Sequence, residues 1–278
     1  MFNDTPRVSV ITTVYKNRYT LNDAVLSVIT QDYPNIQYII VDDGPNSVCD
    51  TDIDKLVSHS TLKPIIIHNK ENLGISAALN EAMNLAEGEY IFNLADDDIF
   101  YDSQVISDWV HEFLISKANV IYARYAAYSQ DLCTEQFIGP TEQIVTNVCN
   151  LNSQDLFELC AGHNIILGCS VAKKRTFIDL IGGYDTKYRL IEDYPMILRT
   201  LRNGERIHFF DRIVIKHRVG GISAPKNIDK AYFLESDEIF KIEILPYVNS
   251  KFKAYKKYIQ WKRNIKKIQR IEQGGNND

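Results

Sequence analysis

The sequence has no apolar run approaching the roughly 20 residues a helix needs to cross a bilayer, which excludes an ordinary membrane span. It has no excess of basic charge either. Its 36 acidic and 31 basic residues leave a net charge of -5, whereas a nucleic-acid binder wants a basic face. The five cysteines (Cys49, Cys133, Cys149, Cys160 and Cys169) form no Cys-x-x-Cys pair, and no histidine stands at zinc-ligand spacing from them. An odd, scattered set of this kind reads as reduced thiols in a cytoplasmic protein. No G-x-G-x-x-G follows a strand, which argues against a dinucleotide-binding oxidoreductase. The opening Met-Phe-Asn-Asp-Thr-Pro carries neither the basic nor the apolar region of a secretory leader, so the expected compartment is the cytoplasm.

What is there is an ordinary globular composition, 45% hydrophobic and 24% charged, over 278 residues, enough for one large domain or two small ones. The first hundred residues alternate between two textures. β-Branched runs at Val8–Tyr15, Ile36–Val41, Pro64–His68 and Glu89–Leu94 read as strands. Between them, Thr20–Ile29, Ile53–His59 and Gly74–Glu87 read as helices, the first with Leu21, Val25 and Val28 on one face. Such alternation predicts βαβ units in a mostly parallel sheet, whose ligands bind at the carboxyl ends of the strands. The polar groups at those ends are Thr13 and Tyr15, Asp42 and Asp43, Asn69 and Asn72, and Asp96, Asp97 and Asp98. Four strands delivering polar groups to one edge is what a nucleotide crevice needs.

The second half is less regular. A helix over Gln104–Ser116 and an aromatic strand over Val120–Tyr128 lead into a polar stretch, Cys133–Thr146, that reads as loop or edge strand. Helices follow near Asp155–Cys160, Lys173–Ile181 and Asp193–Asn203, and a last strand at Ile207–Ile215. From Lys251 to Arg270 there are nine Lys or Arg and no acid, with Phe252, Tyr255, Tyr258, Ile259, Trp261, Ile265 and Ile268 at helical spacing. This basic amphipathic helix suits either an anionic membrane surface or docking on the domain with its basic face in water.

Three adjacent carboxylates repel one another unless a cation or hydrogen bonds offset them. Asp96, Asp97 and Asp98 are hard oxygen ligands of the kind Mg²⁺ or Mn²⁺ takes alongside phosphate oxygens; an acidic turn capping the next helix is the plainer alternative. Glu192-Asp193 is a second acidic site, and by itself it also suits a helix start with Pro195 in the first turn.

The segments Val8–Asn17, Val41–Gly44, Asn72–Ala77 and Glu87–Asp98, then Gly182–Asp185 with Glu192-Asp193, and His217–Ser223, resemble in that order the motifs of the family 2 glycosyltransferases. The resemblance covers about residues 6–225 and implies the GT-A fold, a nucleotide-sugar donor that is probed first as a UDP-sugar, inversion at the sugar carbon, and Mn²⁺ or Mg²⁺ as cofactor. It implies a catalytic unit over residues 1–225, with a donor half (1–100) and an acceptor half (101–225), followed by a helical extension (226–278). Thr13 and Tyr15 would line the base pocket and Asp43 would accept from the uracil N3–H. Asp42 would assist it or hold the turn, Asn72 would flank the nucleoside, and Asp96 would contact the ribose. Ala95 stands where the family's commonest pattern has its first aspartate, which puts the metal on Asp97, with Asp98 the alternative. Asp193 would be the catalytic base, and His217 and Arg218 would meet the departing diphosphate from a closing loop. The implied acceptor is a glycan, in lipid-linked form at the cytoplasmic face of a membrane if the basic tail binds there. Two other readings are a nucleotidyltransferase and a catalytically silent binding module. The first wants a glycine-rich loop after the first strand, and Thr12–Asn17 has no glycine; the intact carboxylates argue against the second.

Overall fold

The computed structural model describes residues 5–16, 19–44, 48–221 and 223–274. Asn17 and Ile222 of the motifs above, Pro45 of the turn after the second strand, and the first four residues lie outside the described residues. The first half holds β1 (Val8–Val14), α1 (Leu21–Ile29), β2 (Ile36–Asp42), α2 (Asp50–Leu56), β3 (Ile65–His68), α3 (Ile75–Leu85) and β4 (Tyr90–Asn93). The second begins with β5 (Ile99–Phe100), α4 (Val105–Ser116), β6 (Val120–Tyr128), β7 (Glu135–Gly139), α5 (Glu142–Asn150) and α6 (Ser153–Cys160). It continues through β8 (Val171–Lys174), α7 (Arg175–Leu180), α8 (Asp193–Arg202), β9 (His208–Arg218), α9 (Lys230–Ile239) and α10 (Lys251–Gly274).

One sheet carries all nine strands, in the order β3-β2-β1-β4-β8-β6-β9-β5, with β7 paired to β6. The four strands of the first half are mutually parallel. β8 runs antiparallel between β4 and β6, and β9 is parallel to β6. The carboxyl ends of β1 to β4, β6 and β9 therefore share one edge with the start of β8. Along β1, Val8, Val10 and Val14 join a core with α1, α2 and α4, while Ile11 joins the opposite core with α3, α6 and α8. Covering both faces in this way is why the parallel strands are almost uniformly apolar.

The polar stretch after β6, expected as loop or edge strand, is the outer strand β7, but α5 then starts at Glu142 where no helix was expected. Lys173–Ile181 is not one helix, because Val171–Lys174 pairs on both sides in the middle of the sheet and only Arg175–Leu180 is helical. β5, two residues long, pairs with β9 where no strand was expected.

The basic helix α10 docks. Ala254 and Tyr258 are buried in the same core as Ile11, and Ile265 is buried further along the helix; burying one such aliphatic side chain contributes about 1.5–3 kcal/mol. Its outer face still exposes Phe252 (79%), Tyr255, Ile259 and Ile271 among the basic residues. No helix among the described residues is long and apolar enough to cross a membrane.

Candidate active site

A cavity of about 1270 Å³ opens along the shared edge and runs from Tyr15 to Ile265. On the donor side Thr13 and Tyr15 line it from the end of β1. Asp43 lines it too, and its carboxylate accepts from Asn69 Nδ2 (3.0 Å), Leu73 N (2.9 Å) and Gly74 N (2.9 Å). Asp42 turns away from the cavity. Its buried carboxylate accepts from Gly44 N (3.3 Å) and Val48 N (3.0 Å) and meets His68 Nδ1 at 3.2 Å. Of its two expected roles, the geometry has Asp42 holding the turn. Asn72 is gripped by Arg189, whose Nη2 donates to its main-chain oxygen (2.7 Å) and to Oδ1 (3.1 Å). Gly74, at φ +90°, sits where a Cβ would come within 2.8 Å of Arg189 Cβ. Only glycine takes that backbone and permits that approach.

The aspartate triplet follows β4. Asp98 is buried and accepts from Arg218 N (3.0 Å), with His217 Nδ1 at 3.0 Å from Oδ1. Arg218 is also buried; it donates to Gln130 O and Asp97 O and pairs with Asp23. Its guanidinium braces the triplet from behind and does not line the cavity. Asp96 and Asp97 do line it. Burial, reinforced by the charges of Asp97 and Asp98, pushes the Asp96 carboxyl up to about 8; burial and Asp98 push Asp97 up to about 6. Asp96 Oδ2 is buried without a hydrogen-bond partner. Ligand atoms of Asp98, Cys169 and His217 lie within 4.8 Å of one another. Burial opposes charge on the His217 imidazole, but Cys169 and the Asp98 hydrogen bond outweigh it and push the ring up to about 11. This acidic, partly orphaned donor set fits a divalent cation.

On the acceptor side Asp193 begins α8. Its Oδ1 accepts from Tyr194 N (2.7 Å) and its Oδ2 from Asn164 Nδ2 (2.9 Å). Burial raises its carboxyl above the ordinary range, although main-chain hydrogen bonds from Tyr194 and Gly168 pull the other way. Burial and then the charge of Asp193 push Glu192 up to about 8. Lys173 on β8 faces both acids, and burial brings its amine down to about 8 against their attraction. The segment leading to Asp193 hangs from Glu235 of α9, whose carboxylate accepts from Arg189 N (2.9 Å), Leu190 N (2.9 Å) and Ile191 N (2.6 Å).

Residues 9–160, more than half of the chain, match the family described as Glycosyl transferase family 2. The chain belongs to glycosyl transferase family 2. An uncharacterized glycosyltransferase of Rickettsia felis is 28% identical over 256 residues, covering 87% of this chain but 41% of that relative. The chain thus spans less than two thirds of the length of the first relatives it matches. The Escherichia coli UDP-Glc:alpha-D-GlcNAc-diphosphoundecaprenol beta-1,3-glucosyltransferase WfaP is 28% identical, covering 79% of this chain and 80% of its own. Among solved structures, residues 1–349 of S. aureus TarS in complex with UDP-GlcNAc align with a TM-score of 0.64 at 15% identity, covering 91% of this chain and 70% of that one. The fold is the GT-A fold of these glycosyltransferases.

Within this family 2 chain the cavity gathers Thr13, Tyr15, Asp43, Asn72, Asp96, Asp97, Asp98, Asp193 and His217, and leaves out Asp42 and Arg218. Sequence reasoning missed Cys169, Lys173, Arg189 and Glu235. Lys173 carried no legible signal, because the strand that buries it reads as the start of a helix. It missed Gly168 as well, where a Cβ would lie 2.6 Å from Asp193 Cβ.

Proposed function

We propose that the chain is a metal-dependent, inverting glycosyltransferase that moves a sugar from a UDP-sugar to a hydroxyl of a glycan acceptor in surface-polysaccharide assembly. The observation that carries this reading is that the aspartate triplet and Asp193 open onto one cavity from its two sides. The names of WfaP and of the TarS complex favour a uridine donor and a lipid-linked acceptor.

In this reading Tyr15 stacks on the base and Thr13 lines its pocket, while Asp43, its carboxylate already shaped by Leu73 N and Gly74 N, takes the uracil N3–H. Asp96 faces the ribose. Asp97, with Asp98 beside it, is the group that would hold Mn²⁺ or Mg²⁺, and the cationic His217 faces the diphosphate from the same edge. Asp97 is the preferred carboxylate, since Asp98 is engaged with His217 and Arg218 N. When bound, the ion supplies charge neutralisation for the leaving diphosphate. Asp193 takes the proton from the attacking acceptor hydroxyl on the opposite side of the sugar. Asn164 and Tyr194 N fix its orientation, and a raised pKa makes it a better base near neutrality. Lys173 offsets the charge of the Glu192-Asp193 pair without contacting donor phosphate in this scheme. The docked face of α10 leaves its basic outer face, with Phe252, Tyr255 and Ile259, to rest on an anionic bilayer.

A nucleotidyltransferase reading has no such use for a base opposite the metal site. The test is a screen of nucleotide sugars with Mn²⁺ or Mg²⁺, scoring nucleoside diphosphate release with and without EDTA. Release from a UDP-sugar that EDTA abolishes, and that Asp193→Asn lowers by about 10²–10⁴-fold with donor binding intact, supports the reading. No release from any donor and no thermal shift with any nucleotide would refute it.

A further inference from the structure

The cavity is larger than one substrate requires. Clefts for a single small molecule hold about 300–1,000 Å³, and this one, at about 1270 Å³, continues past Asp193 to the C-terminal helices. Its far wall is a run of rings. Phe240 stacks on Tyr258 with centroids 4.2 Å apart, and Tyr258 stacks on Trp261 at 5.6 Å. Ile265 extends that wall, and Ile165 and Ile191 also face the space.

Three polar side chains at this end are already engaged. Tyr258 Oη donates to Asp237 Oδ1 (2.9 Å), Tyr194 Oη to Cys160 O, and Ser236 Oγ to Tyr232 O (2.8 Å). A carbohydrate buried here would leave hydroxyls unpaired, which is destabilising. An aliphatic chain leaves none and gains from each CH₂ it buries. Because the space is continuous with Asp193, its occupant belongs to the molecule that presents the attacking hydroxyl. The helix forming the wall also carries nine Lys or Arg between residues 251 and 270 and exposes Phe252 and Ile259. The same helix therefore offers a surface for an anionic bilayer, the place where molecules with aliphatic tails reside.

We propose that the far end of the cavity binds the aliphatic tail of the acceptor, an isoprenoid-type chain joined to the head that carries the reacting hydroxyl. This rests on the glycosyl-transfer reading above and adds to it a second, apolar subsite built by α9 and α10.

The test uses the full chain with farnesyl diphosphate, farnesol and inorganic diphosphate as probes, read by calorimetry and by tryptophan emission. Trp261 lines the cavity and Trp109 lies in the opposite core, so the emission change should vanish in Trp261→Phe while calorimetric binding persists. The expected result is one-to-one binding of both prenyl probes, none of inorganic diphosphate, and no competition by UDP. Ile265→Trp, which fills the cavity, and Ile165→Trp, which fills it from another element, should each weaken prenyl binding at least tenfold and leave the UDP thermal shift unchanged. UDP binding without prenyl binding, or equal prenyl binding in both filled variants, overturns the proposal and spares the donor reading. Prenyl binding that the filled variants lose, in a protein that ignores every nucleotide, supports the apolar site and refutes the donor reading.

Discussion

Gly168→Ala is a test of Asp193 that leaves Asp193 itself in place. The added methyl would lie 2.6 Å from Asp193 Cβ and 2.9 Å from its Oδ2, against an ordinary contact of 3.4 Å or more. Something must move by about 0.8 Å, and Gly168 is fixed by its position just before β8, in the middle of the sheet. The nearest atom is Asp193 Cβ, so the start of α8 shifts and carries with it the carboxylate that Asn164 Nδ2 and Tyr194 N hold. Misplacing a reacting group by about 1 Å costs roughly 10²-fold, so a shift of about 0.8 Å should lower kcat about 40-fold. The donor-side groups are untouched, and KM for the UDP-sugar should stay within about twofold. The assay is steady-state nucleoside diphosphate release with the acceptor found in the screen, alongside a melting curve. A folded Gly168→Ala protein with kcat within threefold of wild type would refute both the base assignment and the geometry behind it.

Other outcomes follow from the same structure. Asp193 works ionised and burial raises its carboxyl, so the rate should fall as pH drops through an acid limb lying above the usual carboxylate range. Lys173→Met removes the cation that pulls the Asp193 carboxyl down and should move that limb to higher pH; a pH–rate profile unchanged by the substitution would contradict the coupling. Asp43→Ala leaves Leu73 N and Gly74 N without their acceptor, which should cost about 2 kcal/mol and roughly 4–8 °C in Tm, together with the UDP-induced thermal shift. An unchanged Tm would mean that Asp43 does not organise the loop. For the membrane face, Lys256→Glu with Arg263→Glu and Lys266→Glu should abolish cosedimentation with anionic vesicles and leave transfer to a soluble acceptor intact; sedimentation unaffected by the three reversals would remove the membrane claim. Deleting α10 is the poorer experiment, because it would strip Ala254 and Tyr258 from the core.

The βαβ half of the fold was legible because each strand is apolar on both faces and each helix on one, so period and length alone separate them. β8 was not legible, since Lys173 and Lys174 read as helix surface until the strand is seen between β4 and β6. The site residues divide by a rule that the sequence already contains. Neighbouring residues on a strand point to opposite faces, so an adjacent pair cannot send both side chains to one ligand. Asp42 holds the loop while Asp43 faces the cavity; Arg218 braces the triplet while His217 faces it. Long-range partners were invisible for a different reason. Glu235 reaches residues 44–46 positions earlier in the chain, and Cys169 meets His217 only because β8 starts at the edge where β9 ends. No local spacing encodes either meeting.

The three hydrogen bonds that Glu235 receives have a consequence for how such an enzyme can diversify. The carboxylates Asp43 and Asp96 to Asp98 all lie inside the family match that ends at residue 160, although Arg189, His217 and Arg218 close on that edge later in the chain. The loop presenting Asp193 instead takes its anchor, and the cavity its far wall, from the last fifty residues. On the proposed reading, substitutions there reshape what accepts the sugar and leave those carboxylates in place. Two lineages could thus keep one donor and diverge in acceptor by drift in α9 and α10 alone, provided the carboxylate at position 235 is retained.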